Sequence, residues 1–163
     1  MIQHEIIYCQ QWFQHYRKVV DAISTDEAER RHRARLSYTD LLGGEESPRA
    51  HIQMLLDKKA ILVGFLDEYV REYMNYQFQF VDDAKIFLRA ANFRRYVDGT
   101  DSISNGKTYS FLPTGEVAIL ETNLITSESR EFSKEYDPSG HFMDMPPFGD
   151  FSSIVKEEWT WQL

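Results

Sequence analysis

The sequence predicts an α+β domain, with a helical N-terminal half of about four helices packed on an antiparallel meander of about four strands, and three observations predict it. Apolar residues recur at spacings of three and four through the first 97 residues. Beyond Val97 that period gives way to short alternating runs separated by Gly, Pro, Asn and Asp. With 163 residues and 42% apolar side chains, the chain can build a core without staples. Residues 1–163 therefore read as one domain, a helical half (1–97) followed by an acidic β half (98–163).

Each helix has its own signal. Ile2, Ile6, Cys9, Phe13, Tyr16, Val20 and Ile23 draw one stripe down a first helix. Cys9 lies inside that stripe, where a thiol behaves as a small buried hydrophobe rather than a nucleophile. Ser24 followed by Glu27 has the spacing of a capping box, so a second helix starts there, and Leu41-Leu42-Gly43-Gly44 closes it. Asp26, Glu27 and Glu29 stand ahead of Arg30, Arg31 and Arg33 at helical spacing, which predicts a salt-bridged solvent face rather than a nucleic-acid contact.

Ser47-Pro48 opens a long third helix, since serine caps and proline suits the first turn. On its wheel Ile52, Leu55, Leu56, Val63, Leu66, Val70, Tyr73 and Met74 form one stripe, and Ile61, Phe65, Tyr69 and Tyr76 form another nearly opposite. A helix with two apolar bands is packed on both sides, which makes it the expected centre of the molecule. Asp82-Asp83 opens a fourth helix running to Arg94 or Tyr96, with Ile86, Phe87, Leu88, Ala91 and Phe93 apolar.

The strands follow the turn formers Asp98-Gly99-Thr100-Asp101-Ser102 and Asn105-Gly106. Lys107 to Leu112 alternates, Pro113-Thr114-Gly115 turns, and Glu116 to Leu124 returns, which is a hairpin. Arg130 to Tyr136 puts Phe132 and Tyr136 on one side and Glu131, Ser133 and Glu135 on the other. A fourth run, Ser153 to Trp161, groups Val155, Trp159 and Trp161, with Glu157 interrupting their face. A carboxylate there must lie at an edge, meet a cation or titrate. The meander would cover its apolar face with the helices and leave the other face polar and acidic.

Composition narrows the function classes. The net charge is −8, and residues 98–163 hold 4 basic against 12 acidic residues while residues 1–97 balance at 14 each. Gripping phosphates needs clustered Lys and Arg, so the acidic half suits a cationic partner and not nucleic acid. One cysteine excludes an internal disulfide and fits a reducing compartment. The start, Met1-Ile2-Gln3-His4-Glu5, lacks the pattern of a secretory signal. Ala60 to Leu66 is the longest apolar run and is far short of the roughly 20 residues a spanning helix needs, so no membrane partner is expected. The expected location is the cytoplasm.

No phosphate loop, helical zinc motif, nucleophile elbow or calcium loop is present, so no catalytic, cofactor or metal residue is assigned. The histidines at 4, 15, 32, 51 and 141 are scattered. Asp137-Pro138-Ser139-Gly140-His141-Phe142-Met143-Asp144 gathers two carboxylates, a hydroxyl and an imidazole, and it is equally ordinary turn chemistry.

With its acidic sheet after a helical half, and a hairpin running Lys107-Thr108-Tyr109-Ser110-Phe111-Leu112-Pro113-Thr114-Gly115-Glu116-Val117-Ala118-Ile119-Leu120, the chain resembles the immunity proteins of bacterial contact-dependent inhibition and related polymorphic toxin systems. That resemblance implies a cytoplasmic, non-enzymatic protein that covers the active site of a basic toxin, often a tRNase or DNase. The expected contact residues are Glu116, Glu121, Glu131, Glu135, Asp137, Asp144, Glu157 and Glu158. Two alternatives remain open: a small hydrolase or metal-dependent enzyme built on Asp137, His141, Asp144 and Glu157, and a scaffold self-associating through the third helix.

Overall fold

Between Glu72 and Phe80 the apolar Met74, Tyr76, Phe78 and Phe80 alternate with Asn75, Gln77 and Gln79, the period of a strand with one face in a core and one in water. The computed structural model, which describes residues 5–157, shows that segment as a strand. Among the described residues it is one of eleven: β1 (Ile6–Phe13), β2 (Lys18–Ala22), β3 (Tyr38–Leu42), β4 (Ala50–Leu55), β5 (Ala60–Leu66), β6 (Glu72–Phe80), β7 (Lys85–Tyr96), β8 (Ile103–Phe111), β9 (Glu116–Asn123), β10 (Glu128–Glu135) and β11 (Phe142–Asp144). One α-helix, α1 (Thr25–Arg33), lies between β2 and β3.

The sheet is an antiparallel meander in the order β10-β9-β8-β7-β6-β5-β4-β3-β1-β2, and β11 returns to pair with the first residues of β7. This corrects the expected α+β class with its helical half. The first, third and fourth expected helices are strands, and only the second is a helix, starting under Ser24 as its capping spacing requires but ending at Arg33 rather than Leu42. The physical reason is burial on both faces. A strand covered on two sides reads as a near-continuous apolar run, which a helical wheel divides into two opposite bands. That is the pattern of Ile61, Val63 and Phe65 against Leu62 and Leu66 in β5.

Turn chemistry was shared between the two readings. Asp82 does gather the Ala84 and Lys85 amides, as a helix cap would, but it closes the β6–β7 turn. The Asp67 carboxylate does the same for Tyr69 and Arg71 between β5 and β6. Within 98–163 the hairpin at 107–124 is β8–β9, with Gly115 at φ +99° in the turn, and the following run is β10. The fourth expected strand is absent over Ser153–Glu157, and Glu158 to Trp161 lie outside the described residues.

Continuous registers define the two faces. One rung crosses nine strands as Tyr8, Asp40, Ile52, Val63, Tyr76, Ala91, Tyr109, Ile119 and Phe132, and apart from Asp40 it is the apolar centre of the core. The neighbouring rung faces the other way: Ile7, Leu41, His51, Gly64, Asn75, Asn92, Thr108, Leu120 and Glu131. One residue of slip would exchange these two sets, so burial fixes the register strongly.

The inner face is closed by α1, through Ala28 and His32, and by Phe148, Phe151 and Ile154 of the C-terminal segment. Phe148 stacks on Tyr8 at 5.3 Å between ring centres. The Tyr38 hydroxyl donates to His32 Nδ1 at 2.8 Å, and the Tyr76 hydroxyl donates to the Lys156 carbonyl at 2.9 Å. On the outer side, the β1–β2 hairpin reaches the far turns: Gln14 donates to the Val70 carbonyl at 3.0 Å and Arg17 pairs with Asp101 at 3.6 Å.

Candidate functional site

The outer face carries a chain of polar side chains. His51 Nε2 on β4 donates to Glu72 Oε2 on β6 at 2.8 Å. Asn75 Nδ2 donates to Glu72 Oε1 at 2.7 Å and Arg94 donates to the same oxygen at 3.0 Å. Asn92 Nδ2 donates to Asn75 Oδ1 at 2.7 Å, and the Thr108 hydroxyl donates to Asn92 Oδ1 at 2.8 Å. Gly64 of β5 lies beneath the first of these bonds, where a Cβ would collide with both His51 Nε2 and Glu72 Oε2. Burial pulls the Glu72 carboxyl upward, but the hydrogen bonds from His51 and Asn75, with the charge of Arg94, outweigh it and leave the group below the usual carboxylate range.

Beyond Thr108 the rung ends in exposed Leu120 and Glu131, and there the face becomes acidic. Glu116 of β9 and Glu135 of β10 are direct cross-strand partners, and Glu131, four residues before Glu135, projects from the same face. All three are exposed, and no described side chain forms an ion pair or hydrogen bond with them. Like charges directly opposite in a ladder are destabilising.

The other expected contact residues have partners within the molecule. Glu121 lies toward the inner face, 3.3 Å from Lys107. Asp137 accepts the Ser139 amide at 3.0 Å and caps the 3-10 turn Pro138–His141. Asp144 pairs with Lys85 at 2.5 Å, and Glu157 accepts from the Tyr73 hydroxyl at 3.2 Å. Glu158 lies outside the described residues, as do Trp159 and Trp161. The structure thus brings together Glu116, Glu131 and Glu135 and separates the rest.

His141 is enclosed by Phe87, Phe111 and Tyr136, and its Nδ1 donates to the Leu88 carbonyl at 3.1 Å. Desolvation pushes its pKa down, although the Leu88 carbonyl and Asp137 oppose that. Asp137, His141, Asp144 and Glu157 therefore answer to four different partners. No cluster of three metal-ligating side chains occurs among the described residues. Cys9 is fully buried, and burial, reinforced by Asp40, raises its thiol to about 11, which leaves it a poor nucleophile. The salt-bridged helix face is as the sequence reads: Glu27 holds Arg30 and Arg31, each at 2.8 Å, and Glu29 holds Arg33 at 2.6 Å.

No protein-family model, curated protein or solved structure matches this chain. No helix among the described residues is long and apolar enough to cross a membrane.

Sequence reasoning does not single out His51, Gly64 and Glu72. The available signal is the glycine: an isolated Gly inside an apolar strand marks a close approach of another group.

Proposed function

We propose that this protein is an inhibitor of the immunity type, one that binds and neutralises a basic protein toxin through the acidic outer face of the β9–β10 hairpin. The observation that carries this reading is the Glu116–Glu135 rung with Glu131 beside it. Glu116 and Glu135, directly opposite and without an ion-pair partner among the described residues, repel each other, which a docked cationic surface relieves, and exposed Glu131 extends the same acidic face. Exposed Leu120 lies across from Glu131 and supplies an apolar contact within the charged patch. The partner in this reading is a nuclease toxin, because an enzyme that grips phosphates presents the complementary charge around its active site. No catalysis or cofactor is involved, and the site of action is the cytoplasm.

Co-expression tests it. In cells producing a basic nuclease toxin domain that this protein neutralises, the wild-type protein should give survival and the Glu116→Lys/Glu131→Lys/Glu135→Lys variant, whose fold is checked by circular dichroism, should not. A wild-type protein that protects against no such domain from its native host would overturn the proposal. Close interfacial charge pairs couple by about 1.5–7 kcal/mol, so affinity for the toxin should fall at least about 100-fold. Full protection by the folded triple variant would overturn the proposal.

A further inference from the structure

On the inner side of the sheet, where β7 and β9 end and β8 and β10 begin, lies a cleft of about 1040 Å³. That is just above the about 300–1,000 Å³ usual for a small-molecule site. Two half-buried rings, Tyr73 and Phe93, form apolar walls. Phe93 is set by its edge-on contact with Tyr109, 5.9 Å between centres. The cleft joins Tyr73, Phe93, Arg94 and Arg95 of the charge-balanced half to residues 105–130 of the acidic half, and its unsatisfied groups are donors.

The pairings within it show why. Phe93, Lys107, Glu121 and Arg130 make one rung, and Lys107 is neutralised by Glu121 at 3.3 Å. Arg94 is held by Glu72 on the other face. The next rung is Arg95, Asn105, Asn123 and Glu128. The Asn123 side-chain oxygen already accepts the Ile125 and Thr126 amides at 3.0 and 3.1 Å, so what it presents is its NH2 group. Glu128 accepts the Thr126 hydroxyl at 3.1 Å. Arg95 and Arg130 are left with no carboxylate at ion-pair distance among the described residues. The Arg130 guanidinium lies 4.6 Å over the Phe132 ring, which holds its planar donor fork in place.

We propose that this cleft binds a small aromatic anion, with the flat ring against Tyr73 and Phe93 and the carboxylate, sulfonate or phosphate group on Arg95, Arg130 and the Asn123 amide. The site is independent of the inhibitor reading, since Glu116, Glu131 and Glu135 project from the opposite face.

Two probes with the same aromatic body separate the anionic contribution: 1-anilinonaphthalene-8-sulfonate and its neutral counterpart N-phenyl-1-naphthylamine, each titrated by fluorescence. The sulfonate should saturate one site and bind at least tenfold more tightly than the neutral probe. Arg95→Glu/Arg130→Glu should weaken it at least tenfold, while the Glu116→Lys/Glu131→Lys/Glu135→Lys variant should leave it unchanged. Amide chemical-shift changes on the wild-type protein should centre on Gly106, Lys107 and Thr122, a readout that holds even if the double arginine variant fails to fold. Absence of saturation, equal affinity for the two probes, or shifts centred elsewhere would overturn the proposal.

Discussion

His51 on β4 and Glu72 on β6 share a 2.8 Å hydrogen bond across the strand between them, directly over Gly64 of β5. Strands two apart are separated by about 9.5 Å, a gap these two side chains bridge only because the middle position has no Cβ. The bond fastens three strands through one carboxylate.

Replacing Gly64 with Ala should therefore break the tie. A hydrogen bond to a charged group contributes about 1.5–3 kcal/mol, so a loss of roughly 3 kcal/mol, steric strain included, is expected in urea unfolding. In a His51→Ala background the same substitution should cost much less. Strictly additive losses would show that Gly64 serves something other than this bond.

Glu72 predicts an acid limb in the stability profile. Its folded pKa lies below that of an unfolded glutamate, about 4.3, so its contribution is complete above that value and is lost as pH falls through the folded one. Glu72→Gln should flatten the profile below pH 4.3 while lowering stability at neutral pH. An unchanged acid slope in that variant would contradict the assignment.

Asp40 acts with the opposite sign. It is fully buried in the inner rung between Tyr8 and Ile52, neither carboxyl oxygen has a hydrogen-bond partner among the described residues, and burial raises its pKa well above the usual range. The folded state thus keeps a proton that the unfolded state releases above about pH 3.9, and stability declines as pH rises from there toward the folded pKa. Asp40→Asn removes that term, so its advantage over the wild type should widen between pH 4 and 7 in denaturant titrations. A difference that stays constant with pH would refute this.

Val70 has φ +59°, a left-handed conformation that is rare for a β-branched residue. Such a conformation costs an L-residue about 1–2 kcal/mol. Its carbonyl receives Gln14, so the strained turn is also where the β1–β2 hairpin tip is anchored. Val70→Gly should raise stability by about 1 kcal/mol in thermal or urea unfolding, and a destabilised variant would mean that the side chain's packing outweighs the strain.

How far the sequence discloses this molecule differs by segment. The Ser24 cap, the Glu27 salt bridges and the hairpin around Pro113-Thr114-Gly115 are local features, and the structure holds all three. In β1, β4, β5 and β7 both faces are at least partly covered, and the residues that identify each face come from neighbours distant in sequence. Opposite Gln77/Phe78 the register skips Arg89 of β7, and opposite Arg95/Tyr96 it skips Ser104 of β8, so the alternation is broken within β7 and β8. The alternation from Met74 to Phe80 is legible and is masked when a helical wheel assigns Tyr73 and Met74 to one stripe and Tyr76 to the opposite one. At the candidate site, the acidity of the β half is a compositional fact, but which carboxylates stay unpaired depends on Lys85, Lys107, Ser139 and Tyr73 lying beside the others.

The meander order has a consequence for how the chain assembles during synthesis. From β3 onward to β10 each new strand finds its docking edge on the segment made just before it, so loop closure is short and the sheet can grow vectorially as the polypeptide leaves the ribosome. The exception is the last stretch, in which β11 returns to β7 and Phe148, Phe151 and Ile154 cap the inner face. Until that stretch emerges, a nascent sheet of ten strands has its aromatic interior open to water, and ribosome-stalled chains ending before Pro146 should be the species that chaperones capture.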